Sequence, residues 1–211
     1  MGYPMPFLMI KIITDSELSD SEAVLWAKAQ QAVNNKNYRL AIAILSTLIT
    51  RAPGFLKGRK ALRACEEKAP QPLLSSEWDY FPYQLIDKLT SAYPDPESII
   101  TGIETVFEKD PYCIPANEIL YTAAMELNLP ELAAFALETI CLGEPTSTKH
   151  LHMLADHYLR HGQHAEAAET YRRVLKQNSA DPVASHGVQY LAAHAAMGRD
   201  EQQDSTNPTQ N

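Results

Sequence analysis

Glycine is scarce, at 8 of 211 residues, and no glycine-rich phosphate loop or nucleophile-elbow motif is present. That removes the commonest sequence signatures of nucleotide and acyl-transfer enzymes. Cysteine is scarcer still. Cys65, Cys113 and Cys141 are odd in number and lack paired metal spacing, so they read as small semi-buried thiols suited to a reducing cytoplasm. No apolar run has the length of a membrane span. Residues 6–13 are apolar but short and interrupted by Lys11, without the basic start and cleavage site of a signal peptide. We expect no membrane insertion and a cytoplasmic protein.

Positive charge is in deficit overall but not everywhere. The net charge is −8, yet the stretch 22–68 holds nine basic residues against three acidic ones. That stretch is therefore +6 and the remainder −14. Such asymmetry can steer an anionic partner to one end of a molecule.

What the chain does contain is a period. Pro111 and Pro145 stand thirty-four residues apart, and Pro182 follows three residues late. Ala133 and Ala167 share the same period, each followed four residues later by a bulky apolar side chain, Leu137 and Tyr171. Two amphipathic helices per period with a closing proline indicate an all-α helical solenoid.

The best copy runs from Lys149 to Pro182. Its first helix carries Leu151, Leu154, Ala155 and Tyr158, its turn Gly162, and its second helix Ala167, Tyr171, Val174 and Leu175. This copy resembles the tetratricopeptide (TPR) repeat, with Leu151, Ala155 and Tyr171 in place of the pattern's Trp, Gly and Phe. A second copy has Leu25, Ala29 and Ala32, then Tyr38, Ala41, Leu45, Leu48 and Pro53. A third has Leu120, Ala124, Asn128, Ala133, Leu137, Ile140 and Pro145, with Tyr121 in the small-residue slot. A degenerate copy spans Tyr83 to Pro111, with Ile86, Ile99, Ile103 and Val106 in packing slots and Asp87 in the small-residue slot, which predicts a splayed pair.

The organisation expected from this pattern has five parts. Residues 1–19 are a lead-in, read as a short strand, a hydrophobic tether or a disordered segment. Residues 20–68 hold an N-terminal repeat plus a capping helix from Phe55 to Lys68. Residues 69–79, with two prolines and a serine pair, form a linker. Residues 80–198 form the C-terminal repeat block, whose helix from Pro182 to Met197 acts as a cap. Residues 199–211 are polar and expected to be disordered.

Three features carry candidate chemistry. All seven histidines lie in the last third, and His157 and His161 are one turn apart, so they could share a metal with Asp156 or His164. No zincin glutamate follows the first of them, and a solvated or interface-filling role is preferred. Lys57, Arg59, Lys60 and Arg63 form a basic stripe that could contact phosphate, or else be the solvated face of the capping helix. Without a nucleic-acid fold signature the solvated reading is preferred, and nucleic acid is not the expected partner. Trp78, Tyr80, Phe81 and Tyr83 could anchor a partner or pack a joint between helical blocks.

The resemblance to TPR proteins implies a non-enzymatic scaffold that binds a peptide or helix in the groove of its first helices. Carried over residue by residue, the groove positions are Glu118, Thr122 and Glu126 in the third copy and Lys149, His152, Asp156 and Arg160 in the fourth. The family's clamp for terminal carboxylates needs Lys and Asn one turn apart. The corresponding pairs here are Trp26 and Gln30, Gln84 and Lys88, Glu118 and Thr122, and His152 and Asp156. None matches, which points to a mixed-charge or amphipathic ligand. No cofactor or metal is expected. The alternatives are a metal-binding protein or enzyme built on the histidines, and an RNA-associated adaptor built on the basic N-terminal repeat.

Overall fold

A computed structural model describes residues 10–69, positions 84, 86, 87, 89 and 91, and residues 95–204, with side chains as far as residue 196. The expected linker from residue 70 on and the aromatic cluster Trp78, Tyr80, Phe81 and Tyr83 lie outside the described residues. The helices are α1 (Asp20–Asn34), α2 (Tyr38–Arg51), α3 (Leu56–Lys68), α4 (Pro96–Gly102), α5 (Glu104–Phe107), α6 (Ile114–Glu126), α7 (Pro130–Gly143), α8 (Thr148–Arg160), α9 (His164–Gln177) and α10 (Pro182–Asp204). No strand occurs among the described residues. The architecture is all-α, a TPR-like series of helix pairs.

Local signals set the helix ends. Ser19 and Glu22 form a capping box at α1, satisfying backbone donors that the first turn leaves without partners. Asn37 caps α2, and Asp95 caps α4 just before Pro96. The turns within pairs repeat one geometry. Lys36, Asn128 and Gly162 all adopt the left-handed conformation, at φ 57°, 55° and 73°. The following residue donates back five positions in each: Asn37 N to Ala32 O at 2.9 Å, Leu129 N to Ala124 O at 2.8 Å and Gln163 N to Tyr158 O at 2.9 Å. Asn128 and Gly162 are again thirty-four residues apart, so the period visible in the prolines also governs the backbone.

The chain forms two compact units, one reaching Ile140 and the other starting at Cys141. In the second, α8, α9 and α10 pack in sequence. Leu151, Leu154, Ala155, Tyr158, Ala167, Tyr171 and Val174 are all buried there, as the repeat pattern requires, while Leu175 is half-buried. Helix α10 continues through Asp204, past Met197 and into the segment from residue 199 expected to be disordered. Its last residues, Asp200, Glu201, Gln202 and Gln203, include good helix formers, so polarity alone did not end the helix. Residues 205–211 lie outside the described residues.

The first unit has two hydrophobic clusters. One joins α1, α2 and α3 through Ala29, Ala41, Leu45, Leu48, Phe55, Leu62 and Cys65. The other gathers Ile86, Leu89, Ile100, Ile103, Val106 and Phe107 with Leu120, Ala124, Leu132 and Ala133. Asp87 is exposed, not in a packing slot, because the helical turn there points Ile86 and Leu89 inward instead. Ile99 is only half-buried, and Ile100 takes the core position.

The lead-in segment touches both clusters. Ile10 and Ile12 pack into the second cluster and Ile13 into the first. Ile13 N donates to Gly54 O at 3.1 Å. A Cβ on Gly54 would lie 1.8 Å from the Lys11 carbonyl oxygen, so only glycine permits this crossing. Of the three readings for the lead-in, the tether describes residues 10–13.

Helix α3 departs from its expected role as a terminal cap. One face, with Phe55, Leu62 and Cys65, covers α2. The opposite face is buried too, and it is ionic. Arg59 is fully buried, pairs with Glu104, and donates to Pro53 O at 3.0 Å and Ile100 O at 2.8 Å. Arg63 reaches Glu66 at 2.6 Å and Glu104 at 3.4 Å while lying 3.9 Å over the Phe107 ring. The basic stripe is thus neither a solvated face nor a phosphate contact at Arg59 and Arg63. Helical spacing places these arginines together, but buried glutamates on α3 and α5 and the carbonyls of Pro53 and Ile100 compensate them, so they turn inward.

Two outcomes are expected. Lys36→Gly and Asn128→Gly should each raise stability by about 0.5 kcal/mol, since a side chain in this conformation costs roughly 1–2 kcal/mol and glycine's entropy offsets part of the gain. Gly162→Ala, where a Cβ meets nothing within 4 Å, should cost about 1 kcal/mol through the backbone alone. Denaturant melts of the three variants check the signs. Separately, Glu104→Ala should cost about 3–5 kcal/mol, and the pair Arg59→Met with Glu104→Leu clearly less, because breaking a buried pair leaves a stranded charge whereas replacing both does not.

Candidate functional site

Function in a helix-pair protein is sought on the faces of the first helices that are not used in packing. In the second unit, α8 turns Leu151, Leu154, Ala155 and Tyr158 inward and leaves Lys149, Asp156 and Arg160 exposed, with His152 half-buried beside them. His152 and Asp156 are tied to the residue before α10 and to α9. His152 Nε2 lies 3.0 Å from Asp181 Oδ2, and the Tyr171 hydroxyl donates to Asp156 Oδ1 at 2.6 Å. Burial, with help from the Asp156 hydrogen bond, pushes the Tyr171 phenol well above its ordinary value. The Ala184 backbone donor, followed by His152, holds Asp181 below the usual carboxylate range. The result is a fixed charged face, with Lys149 and Arg160 at its two ends.

In the first unit, α6 carries the other expected groove residues. Thr122 and Glu126 are exposed and Glu118 is half-buried, while Ala116, Leu120, Ala123 and Ala124 turn into the core. The Thr122 hydroxyl donates to Glu118 O at 2.9 Å.

The histidines disperse. His157 is fully buried, and His161 stacks on it with ring centroids 4.3 Å apart and its Nδ1 2.8 Å from the His157 carbonyl oxygen. That contact turns His161 Nδ1 to the backbone. His164 meets His194 edge-on at 4.8 Å, and His150 Nδ1 lies 2.9 Å from the Ser147 hydroxyl. Among the described residues no group of three His, Cys, Asp or Glu side chains is placed to hold a metal. The thiols Cys65, Cys113 and Cys141 are all buried, and burial pushes those of Cys65 and Cys113 upward, away from reactivity.

A feature that motif reading passed over lies between α1 and α3. Trp26, Gln30, Val33 and Asn34 on α1 and Ala61 on α3 line an open groove of about 310 Å³. At its head the Asp15 carboxylate accepts from Lys57 Nζ at 2.6 Å and from Trp26 Nε1 at 3.2 Å, both on Oδ2. Lys57 Nζ also stands 5.7 Å from the Trp26 ring centre, and Trp26 meets Phe55 edge-on at 5.1 Å. The pairing Trp26 and Gln30 was visible as a mismatch to the family's clamp. What it could not show was the carboxylate supplied by the lead-in.

No family model matches the chain, and neither does any curated protein. Solved structures similar to it include a crystal structure of the MamA protein, 14% identical, covering 92% of this chain and 100% of that one, with a TM-score of 0.38. A MamA structure from Desulfovibrio magneticus RS-1 is 12% identical, with 90% and 99% covered and a TM-score of 0.35. The TPR domain of P58(IPK) is 16% identical, with 89% and 67% covered and a TM-score of 0.34. The helical-repeat assignment stands on this chain's own pairs and turns. Among the described residues no helix is long and apolar enough to cross a membrane.

The buried ion cluster has a pH signature. Burial is the main cause that pushes Glu66 up to about 8; Arg63 opposes it, and Glu104 and Glu108 add to it. A carboxyl raised in the folded state binds its proton more tightly there than in the unfolded chain. Its contribution is therefore complete below about pH 4.5 and is lost as pH rises toward 8. Glu66→Gln should flatten that decline. Stability measured at pH 5 and pH 8 should fall by about 1 kcal/mol or more in the parent and less in the variant.

Proposed function

We propose that this protein is a non-enzymatic, cytoplasmic scaffold whose first-helix faces receive a protein or peptide partner. The observation that carries the reading is the division of labour on α8. Its apolar side is spent on α9, and its charged side, with Lys149, Asp156 and Arg160 exposed, packs into no core. Glu118, Thr122 and Glu126 give α6 an acidic counterpart in the first unit. Such faces fix the orientation and choice of a charged ligand more than they add raw affinity. Cytoplasmic placement draws on the three buried thiols, which suit a reducing compartment.

Combining Lys149→Glu with Arg160→Glu should reduce capture of the main cellular partner by about fivefold or more while leaving the melting temperature nearly unchanged. Capture that survives this reversal but fails when Trp78 and Phe81 are truncated would move the site to the aromatic segment.

A further inference from the structure

The groove between α1 and α3 already holds a carboxylate, and two donors meet on a single oxygen of it. Asp15 belongs to a short turn, Asp15–Glu17, with Thr14 as its cap. The Glu17 side chain accepts from Thr14 N at 2.8 Å and from Lys11 Nζ at 3.0 Å, so the turn is held independently of the Asp15 side chain. The Asp15 side chain then reaches across to Lys57 and Trp26, forty-two and eleven residues away. An ammonium and an indole N–H converging on one oxygen is a carboxylate receptor, and this chain supplies its own occupant.

That occupant is loosely held. The Asp15 and Lys57 side chains are 44% and 60% exposed, and exposed ion pairs contribute little net stability. A carboxylate from outside can therefore compete on nearly equal terms, provided further contacts come with it. The groove supplies them. Trp26, Val33 and Ala61 offer apolar surface, and Gln30 and Asn34 offer side-chain amides that can bond an extended backbone.

A second cation sets a length. Lys57, Ala61, Ala64 and Lys68 recur at spacings of four, three and four, which puts them on one face of α3. Lys68 is exposed, 6.0 Å from the Tyr38 ring centre. Eleven residues of helix separate the two lysines by about 16 Å. Extended chain covers that distance in about five residues. The complementary ligand carries two acidic side chains about five residues apart with apolar residues between them.

We infer that the α1–α3 groove is a docking site for an extended acidic peptide segment, whose leading carboxylate displaces Asp15 from Lys57 and Trp26. Asp15 is then a built-in competitor that sets a threshold for binding. A lone anion gains nothing over Asp15, and only a segment that also fills the groove does. The inference rests on the reading that first-helix faces receive a peptide partner, and a titration read at Trp26 tests it apart from the reversal of Lys149 and Arg160.

The test uses the full chain carrying Trp78→Phe, which leaves Trp26 as the one tryptophan of the original two. The probe is the blocked hexapeptide Asp-Leu-Ala-Leu-Ser-Asp, titrated against Trp26 fluorescence, with the Asn-for-Asp peptide and sodium acetate as comparisons. Saturable binding is expected for the acidic peptide only. Asp15→Asn should tighten it about fivefold by removing the competitor, and Lys57→Gln should weaken it about tenfold. Circular dichroism melts of both variants verify the fold, and Asp15→Ser provides a second way to vacate the site. Unchanged or weaker binding in both Asp15 variants would overturn the proposal. So would equal binding of the Asn peptide, or an acetate response matching the acidic peptide at equal carboxylate concentration.

Discussion

Arg59 is the side chain on which the first unit turns. A guanidinium with no exposed surface, between Glu104 and the carbonyls of Pro53 and Ile100, would be costly in any other surroundings. Here three acceptors match its planar fork, and Arg63 extends the cluster through Glu104 and Glu66. A cluster of this kind is weak evidence for stability, since apolar residues could replace it. Its effect is on arrangement. Apolar surface would let α3 slide against α4 and α5, whereas a forked cation with fixed acceptors accepts one register. The tether at residues 10–13 acts on the same joint, because it packs into both hydrophobic clusters and crosses at Gly54.

Fixing α3 has a consequence on its other sides. Once Arg59 and Arg63 face inward, helical geometry decides where Lys57 and Lys60 stand. Both are exposed: Lys57 takes Asp15 at the head of the α1–α3 groove, and Lys60 lies 3.4 Å from Glu138. A stripe that looks uniform in sequence is thus divided into two inward residues that hold the unit together and two outward ones that meet carboxylates. The positive excess of the stretch 22–68 is partly internal, and what it presents outward is smaller than the count suggests.

The repeat itself was legible because it is written twice, in side chains and in backbone. Ala155 and Ala167 had to be small and buried for the pair to close, and both are. Gly162 marked its turn, while Lys36 and Asn128 hid the same turn behind residues that do not advertise it. Less legible was anything that depends on a partner far along the chain. Arg59 and Arg63 recur like a surface stripe, and nothing local shows that Glu104 waits more than forty residues away. Asp87 failed for a simpler reason, since a one-residue error in helical register exchanges an inward position for an outward one. Polarity does not mark the end of α10, because Glu, Gln and Asp continue a helix already under way at little cost.

The same logic explains why the groove of α1 and α3 escaped a reading by motif. Matching to a clamp asks whether certain residues stand at certain positions, and Trp26 with Gln30 answers no. Chemistry asks a different question, whether donors converge on a point. An indole N–H and an ammonium do converge, and the carboxylate on which they meet comes from a turn outside the repeat altogether. A repeat pattern fixes the spacing of the helices, and so the dimensions of the groove. What occupies the groove is decided by the side chains left over after packing, and those follow no period.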